Sequence, residues 1–92
     1  MEQFKDDGVD LSVSLTDYQQ YSTALESINS SLLSGKPDWI NRAACNLLEL
    51  TKTDNIMLKF VIFQSEAFAT LCTRFSESKI LFILRIMLNL SA

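Results

Sequence analysis

The side chains of this chain that are best suited to covalent or metal chemistry are its two cysteines, Cys45 and Cys72. A cysteine acts as a catalytic nucleophile or a metal ligand when a base or further ligands lie beside it, and histidine most often fills that role. The 92 residues contain no histidine, and no nucleophile stands at a recognisable spacing from a base. Both glycines are isolated, so the sequence has no glycine-rich phosphate-binding motif. We therefore expect a protein that is not an enzyme and that uses no metal and no cofactor.

The two cysteines stand alone within apolar, helix-like patterns. Their isolation favours two buried free thiols in a reducing compartment, with a disulfide between them left open as the alternative. Charged residues at positions 2, 5, 6 and 7 interrupt any apolar run at the beginning of the chain, so the sequence does not predict a signal peptide. We expect an intracellular protein of the cytoplasm or the nucleus.

Charge and hydropathy argue against two classes of partner. The formal net charge is −3 and the eight basic residues are scattered singly, whereas binding to phosphates needs clustered Lys and Arg. The longest apolar block, residues 80–90, contains Arg85 and Asn89 and is far shorter than the roughly 20 residues of a membrane-spanning helix. We expect neither nucleic acid nor a membrane as a partner.

The pattern divides the chain into two regions. Residues 1–15 are polar and acidic without a sustained period, and we expect a flexible leader there. The alternation of Val9, Leu11, Val13 and Leu15 leaves a short extended segment that docks elsewhere as the alternative. Residues 16–92 form the predicted helical domain, which begins with a cap from Ser14 or Thr16. The amphipathic stripe of its first helix is Tyr18, Tyr21, Leu25, Ile28 and Leu32.

Gly35 and Pro37 are expected to end the first helix, and Asp38 is the expected N-cap of the second. The second helix has the sequence WINRAACNLLELTK, and its predicted core-facing residues are Ile40, Ala43, Ala44, Leu47 and Leu50.

Three shorter helices are expected after residues 53–55, which break and re-cap the chain. The first is IMLKFVIFQ, for which a strand is the alternative because short apolar runs are ambiguous. Ser65 is expected to start the next helix and Ser76 the last one, SKILFILRIMLNL. That last helix is apolar almost all round, so we expect it to have neighbours on more than one side.

A sequence similar to that of the second helix, called the echo below, occurs forty residues later. The stretch NRAACNLLELT at 41–51 aligns with LFILRIMLNLS at 81–91, and a helical period near forty residues is the spacing of armadillo and HEAT solenoids. Residues 42–92, which carry LNLS at 88–91, resemble an armadillo repeat that is entered at the third helix of the preceding unit. The resemblance covers roughly residues 17–92 and implies an all-α, armadillo-like right-handed superhelix of about one and a half to two repeats and about five helices. A helical bundle with a chance echo is the alternative.

The resemblance also implies a function. In armadillo-like solenoids the third helices line a concave groove that holds extended peptides, so the second and fifth helices would line it here. The residues that this assigns to partner binding are Arg42, Cys45, Glu49, Phe82, Arg85 and Asn89. The implied protein is an interaction scaffold or adaptor that binds a peptide segment of a partner protein.

Self-association is the alternative function. Fewer than two complete units cannot cover all the large apolar residues of the last helix, and burying each of them is worth about 1.5–3 kcal/mol. We expect either the continuation of a longer solenoid or a homo-oligomer to cover that helix. Its apolar residues are Leu81, Phe82, Leu84, Ile86, Met87, Leu88 and Leu90.

Overall fold

The computed structural model of the protein describes residues 15–91, and within that range the chain forms five α-helices and no strand. The helices are α1 (Leu15–Leu32), α2 (Pro37–Leu50), α3 (Ile56–Phe63), α4 (Glu66–Arg74) and α5 (Ile80–Ser91). The prediction of an all-α chain with about five helices is confirmed, and the ambiguous stretch after residue 55 is a helix. The predicted leader lies outside the described residues, apart from Leu15, with which α1 begins.

Side-chain caps explain where α3 and α4 begin. The Oδ1 atom of Asn55 accepts hydrogen bonds from the backbone N–H groups of Met57 at 2.8 Å and Leu58 at 3.1 Å. The Oγ atom of Ser65 accepts one from the N–H of Phe68 at 3.2 Å. The first N–H groups of a helix have no partner within the helix, so these acceptors stabilise the first turn. Both caps are where the sequence predicts them.

The connection between α1 and α2 differs in one detail from the prediction. Gly35 has φ +78°, the left-handed conformation that glycine adopts without steric cost, and it lies in the connection that follows the end of α1 at Leu32. Asp38 is not the N-cap of α2, because Pro37 takes the first helical position and Lys36 the cap position, without a side-chain hydrogen bond. Proline suits that first position because its missing N–H would be unpaired there in any case.

The start of α5 also differs. Residues 76–79 form a turn, in which the N–H of Lys79 donates to the carbonyl oxygen of Phe75 at 3.0 Å, and the helix begins only at Ile80. Ser76 and Glu77 lie within this turn and not at the position directly before Ile80, so neither is the N-cap of α5.

The hydrophobic core contains residues of α1, α2, α3, α4 and α5. In α1 the last three residues of the predicted stripe are buried, whereas Tyr18 is exposed; in α2 Ile40 and Leu50 are only half-buried. The buried core residues are Leu25, Ile28, Leu32, Ala43, Ala44, Leu47, Ile62, Ala67, Phe68, Leu71, Ile83 and Ile86.

The helices α1 and α2 form an antiparallel hairpin. Ser31, near the end of α1, lines one hollow with Trp39 at the beginning of α2, whereas Ala24 lines another with Leu50 at the end of α2.

The helix that packs against the other side of α1 is α4. The hydroxyl group of Thr70 donates to Oδ1 of Asn29 at 2.7 Å, between residues that are 41 positions apart. A side-chain hydrogen bond thus joins the first and fourth helices at close to the forty-residue spacing of the sequence echo.

Candidate functional site

The helices α2 and α5 lie side by side and run in the same direction. Near their beginnings, Nζ of Lys79 donates a hydrogen bond to Oδ1 of Asn41. Near their ends, Nδ2 of Asn89 donates to Oγ1 of Thr51 at 2.9 Å. Both pairs are separated by 38 positions. Antiparallel helices would pair residues whose numbers have a constant sum, so a constant difference shows that the pair is parallel.

Thr51 anchors this helix pair. It is the one buried polar residue in the described part of the chain, with 1% of its surface exposed. Its Oγ1 atom donates to the carbonyl oxygen of Leu48 at 2.6 Å while it accepts from Asn89, so the buried hydroxyl is satisfied on both counts. Sequence reasoning missed Asn41, Thr51 and Lys79 as residues that join the helices. The forty-residue echo indicates that the two helices correspond, but its offset of 40 pairs Asn41 with Leu81 and Thr51 with Ser91, so it does not select these contacts.

The candidate residues of α2 are all exposed. Cys45 lies one turn after Asn41, on the same face, and so it faces the α5 side. Arg42 lies toward α1, where it lines a hollow of about 250 Å³ with Trp39. The carboxylate of Glu49 accepts a hydrogen bond from Nζ of Lys52 at 3.0 Å, in an exposed pair of the kind that contributes at most about 1 kcal/mol.

The candidate residues of α5 lie on successive turns at spacings of three and four residues. Phe82 is half-buried, with the ammonium group of Lys79 at 5.9 Å from its ring centroid. Arg85 is exposed and has no hydrogen bond or ion pair with residues 15–91. Asn89 is half-buried, and its amide donor is used within the molecule by Thr51. The structure thus brings Cys45 and the three α5 residues to adjoining parts of one face, and sets Arg42 and Glu49 farther toward α1.

The two cysteines are free thiols, as the sequence favours, but Cys45 is exposed and the expectation of two buried thiols is wrong for it. Cys72 is half-buried, and burial raises the pKa of its thiol above the ordinary value. The Cys72 thiol therefore stays protonated at neutral pH and is a poor nucleophile.

A second surface, the apolar face, is formed by α3 and α5. These two helices carry nine of the twelve large apolar side chains that are exposed among the described residues. The prediction that α5 cannot be fully covered is confirmed: Ile86 is buried, whereas Leu81 is 73% exposed and Leu88 69% exposed. The nine residues of the apolar face are Ile56, Met57, Phe60, Phe63, Ile80, Leu81, Leu84, Met87 and Leu88.

A groove of about 510 Å³ joins the two helices of the apolar face. Ile56, Lys59, Phe60 and Phe63 line it from α3, and Met87, Leu90 and Ser91 line it from α5. Sequence reasoning missed the part of α3 in this surface. The available signal is that seven of its eight residues are apolar, because a helix that is apolar all round needs a neighbour on every side.

Within residues 15–91, no group of three or more His, Cys, Asp or Glu side chains is placed to hold a metal ion. No single helix in the described range has the length and apolar character to cross a membrane, and α3 and α4 pass that test only when they are counted together across a bend of 50°. No family model, no curated protein and no solved structure matches the chain.

Proposed function

We propose that this protein is an interaction scaffold with an armadillo-like, right-handed superhelical arrangement, which binds an extended segment of a partner protein along α2 and α5. The observation that supports the proposal is the parallel pairing of α2 and α5 at a constant separation of 38 positions. The hydrogen bond between α1 and α4 spans 41 positions, so two successive helices each pair with the helix about forty residues later. Such layering is how a solenoid repeats its units.

The chemistry of this face suits an extended peptide. An extended chain offers N–H and C=O groups along its length, and Asn89 can accept from such an N–H through its amide oxygen while its amide donor is held by Thr51. Arg85 can pair with a carboxylate of the partner on this face. At its α1 edge, Arg42 can pair with a second carboxylate and Glu49 with a basic side chain. The half-buried ring of Phe82, one turn before Arg85 on the same side of α5, offers an apolar contact.

Hydrogen bonds between α2 and α5 join the two helices at both ends of this face. Asn41 and Lys79 hold one end of the pair, and Thr51 and Asn89 hold the other. A surface that needs no ordering on binding loses less conformational entropy, so fewer contacts suffice for a given affinity.

A peptide-display selection on the full chain tests the proposal, followed by affinity measurements on the selected sequences. We expect replacement of Arg42 and Arg85 together by alanine to weaken binding by about 10-fold or more, because two charge-assisted contacts are lost. The matched control is Arg74→Ala, which removes an arginine from the last turn of α4. Selected peptides that bind the Arg42/Arg85 double variant as tightly as the parent chain would contradict the assignment of this face.

Self-association through α5 is a second candidate function, which a different observation favours. Leu81, Leu84 and Leu88 are each more than half exposed, and their spacing of three and four residues places them on one side of the helix. A stripe of this kind is the usual contact of one helix with another. The mass of the chain as a function of its concentration tests this function directly.

A further inference from the structure

We propose that α3 and α5 act together as one self-association interface, and that a second copy of this chain occupies it. The proposal rests on the second candidate function, self-association. It adds to that function the exposed residues of α3 and the groove between the two helices, and it identifies the partner.

The composition of the apolar face is that of an interface core. The twenty residues of α3 and α5 include only two charged residues, Lys59 and Arg85, and no carboxylate. The exposed side chains include two phenylalanines and two methionines, and aromatic residues and methionine are enriched in the cores of interfaces, where charged residues are depleted. Outside these two helices, the exposed large apolar residues of the described range are Tyr18, Leu33 and Trp39.

The area of the apolar face matches the requirement of a stable dimer. The exposed fractions of its nine residues amount to about five complete residues. At roughly 150 Å² each, the lower end of what a large aromatic side chain buries, this corresponds to on the order of 750 Å² of surface. A standard protein–protein interface buries about 800 Å² on each partner.

The apolar face offers both a projecting stripe and a depression. Leu81, Leu84 and Leu88 project from α5, and the groove lies between α3 and the end of α5. A two-fold axis lets the stripe of each copy enter the groove of the other, because both copies present the same surface in an isologous interface. Side chains of one helix commonly pack into the groove of a neighbour in this way.

The leader is a weaker occupant of the groove than a second copy. Residues 1–14 contain only five apolar side chains, and four carboxylates are interspersed among them. Five side chains cannot cover nine, and carboxylates that approach an apolar surface lose hydration without a matching gain. A second copy brings nine apolar side chains and no carboxylate on these helices.

The test measures the mass of the full-length chain by sedimentation equilibrium from about 1 to 100 μM, together with two charged variants of the apolar face. Phe60→Glu and Leu84→Glu each place a carboxylate at a position that is more than half exposed in one copy, so each is expected to fold. We expect the parent chain to reach twice the mass of one chain. We expect each variant to have a dimer dissociation constant about 100-fold higher or more. Leu33→Glu is the matched control, since Leu33 is 48% exposed and lies outside the apolar face, and we expect it to leave the dimer unchanged.

Three outcomes would overturn the proposal. One is a parent chain that stays monomeric at about 100 μM, and another is a mass that grows without limit, which indicates open-ended association instead of a closed pair. The third is a monomeric parent chain that dimerises only after removal of residues 1–14, which would assign the groove to that segment.

Loss of peptide binding in the Arg42/Arg85 double variant with an unchanged mass would separate the scaffold function from self-association, so the two can fail independently.

Discussion

Nδ2 of Asn89 donates a hydrogen bond to Oγ1 of Thr51 at 2.9 Å, and this contact joins the end of α5 to the end of α2 across 38 positions of the chain. Thr51 is buried, whereas Asn89 is only half-buried, so the bond connects the interior to the face that we assign to partner binding. We expect Thr51→Val to lower the free energy of unfolding by about 1–2 kcal/mol, because the isosteric side chain removes a hydroxyl that makes two hydrogen bonds. Urea denaturation followed by circular dichroism measures this change.

A double-mutant cycle tests whether the two residues act as one unit. We expect Asn89→Ala to cost about 1 kcal/mol alone and clearly less when Thr51 is already valine. Thr73→Ala is the control, since Thr73 is exposed and bonds only within α4, and its cost should lie within about 0.5 kcal/mol. Fully additive effects of the Asn89 and Thr51 substitutions would show that the contact does not couple the helices.

Asn55 and Asp38, which lie at the starts of α3 and α2, should contribute differently to the free energy of unfolding. Asn55→Ala removes an acceptor of two backbone N–H groups at the start of α3, and we expect it to lower the free energy of unfolding by about 1 kcal/mol. Asp38→Ala should cost only about 0.3 kcal/mol, because Asp38 lies inside the first turn of α2 and acts there only through the helix dipole. Thermal unfolding of both variants measures the difference, and an Asp38 variant that loses as much as the Asn55 variant would restore Asp38 as a cap.

Gly35 should resist substitution for a backbone reason alone. Its φ is +78°, and a Cβ atom placed there would have open space around it. We expect Gly35→Ala to cost about 1–2 kcal/mol, because left-handed backbone is unfavourable for alanine, and Gly35→Asn to cost less, because asparagine tolerates that conformation better. Equal costs for the two variants in urea denaturation would point to a different cause.

Two neighbouring residues of α5 offer a contrast between core and surface. Ile86 is fully buried, and we expect Ile86→Ala to cost about 2–4 kcal/mol through lost burial and the cavity that remains. Leu88→Ala should cost less than about 0.5 kcal/mol in the monomer, because Leu88 is 69% exposed. Chemical denaturation at low protein concentration, where self-association does not contribute, gives both values. A large loss for Leu88 in the monomer would mean that α5 is rotated from its described orientation.

The two thiols should react at different rates. Cys45 is exposed, so we expect a disulfide reagent to modify it quickly in a Cys72→Ser variant. Cys72 should react slowly in a Cys45→Ser variant, because burial limits access and raises the pKa of its thiol, so that the thiolate forms only at higher pH. The rate at Cys72 should therefore continue to rise with pH beyond the ordinary pKa of a cysteine. A Cys72 rate that levels off below that pKa would contradict the burial of this side chain.

The helices and most of their limits follow from interactions between residues a few positions apart, which can be predicted from the sequence. The caps at Asn55 and Ser65 bond N–H groups two or three residues ahead, and the left-handed turn at Gly35 depends on one residue. The prediction of an N-cap at Asp38 failed because Pro37 takes the first position of α2. The prediction of a buried thiol failed at Cys45, which is exposed although the two alanines before it are buried. A helix turns by about 100° at each residue, so a small error in the predicted orientation of its buried face wrongly places a whole side chain in the core.

The partners of each helix depend on which faces compete for burial across the whole chain. The hydrogen bonds of Asn41 with Lys79 and of Thr51 with Asn89 join residues 38 positions apart, and no local rule selects these pairs from other polar residues on the same helices. The apolar pattern of α3 predicts that it needs neighbours on every side, but packing determines that Ile62 is buried and Phe60 is left exposed. Local propensity acts along the chain, whereas the candidate interaction surfaces arise from the side-by-side packing of helices that are distant in sequence.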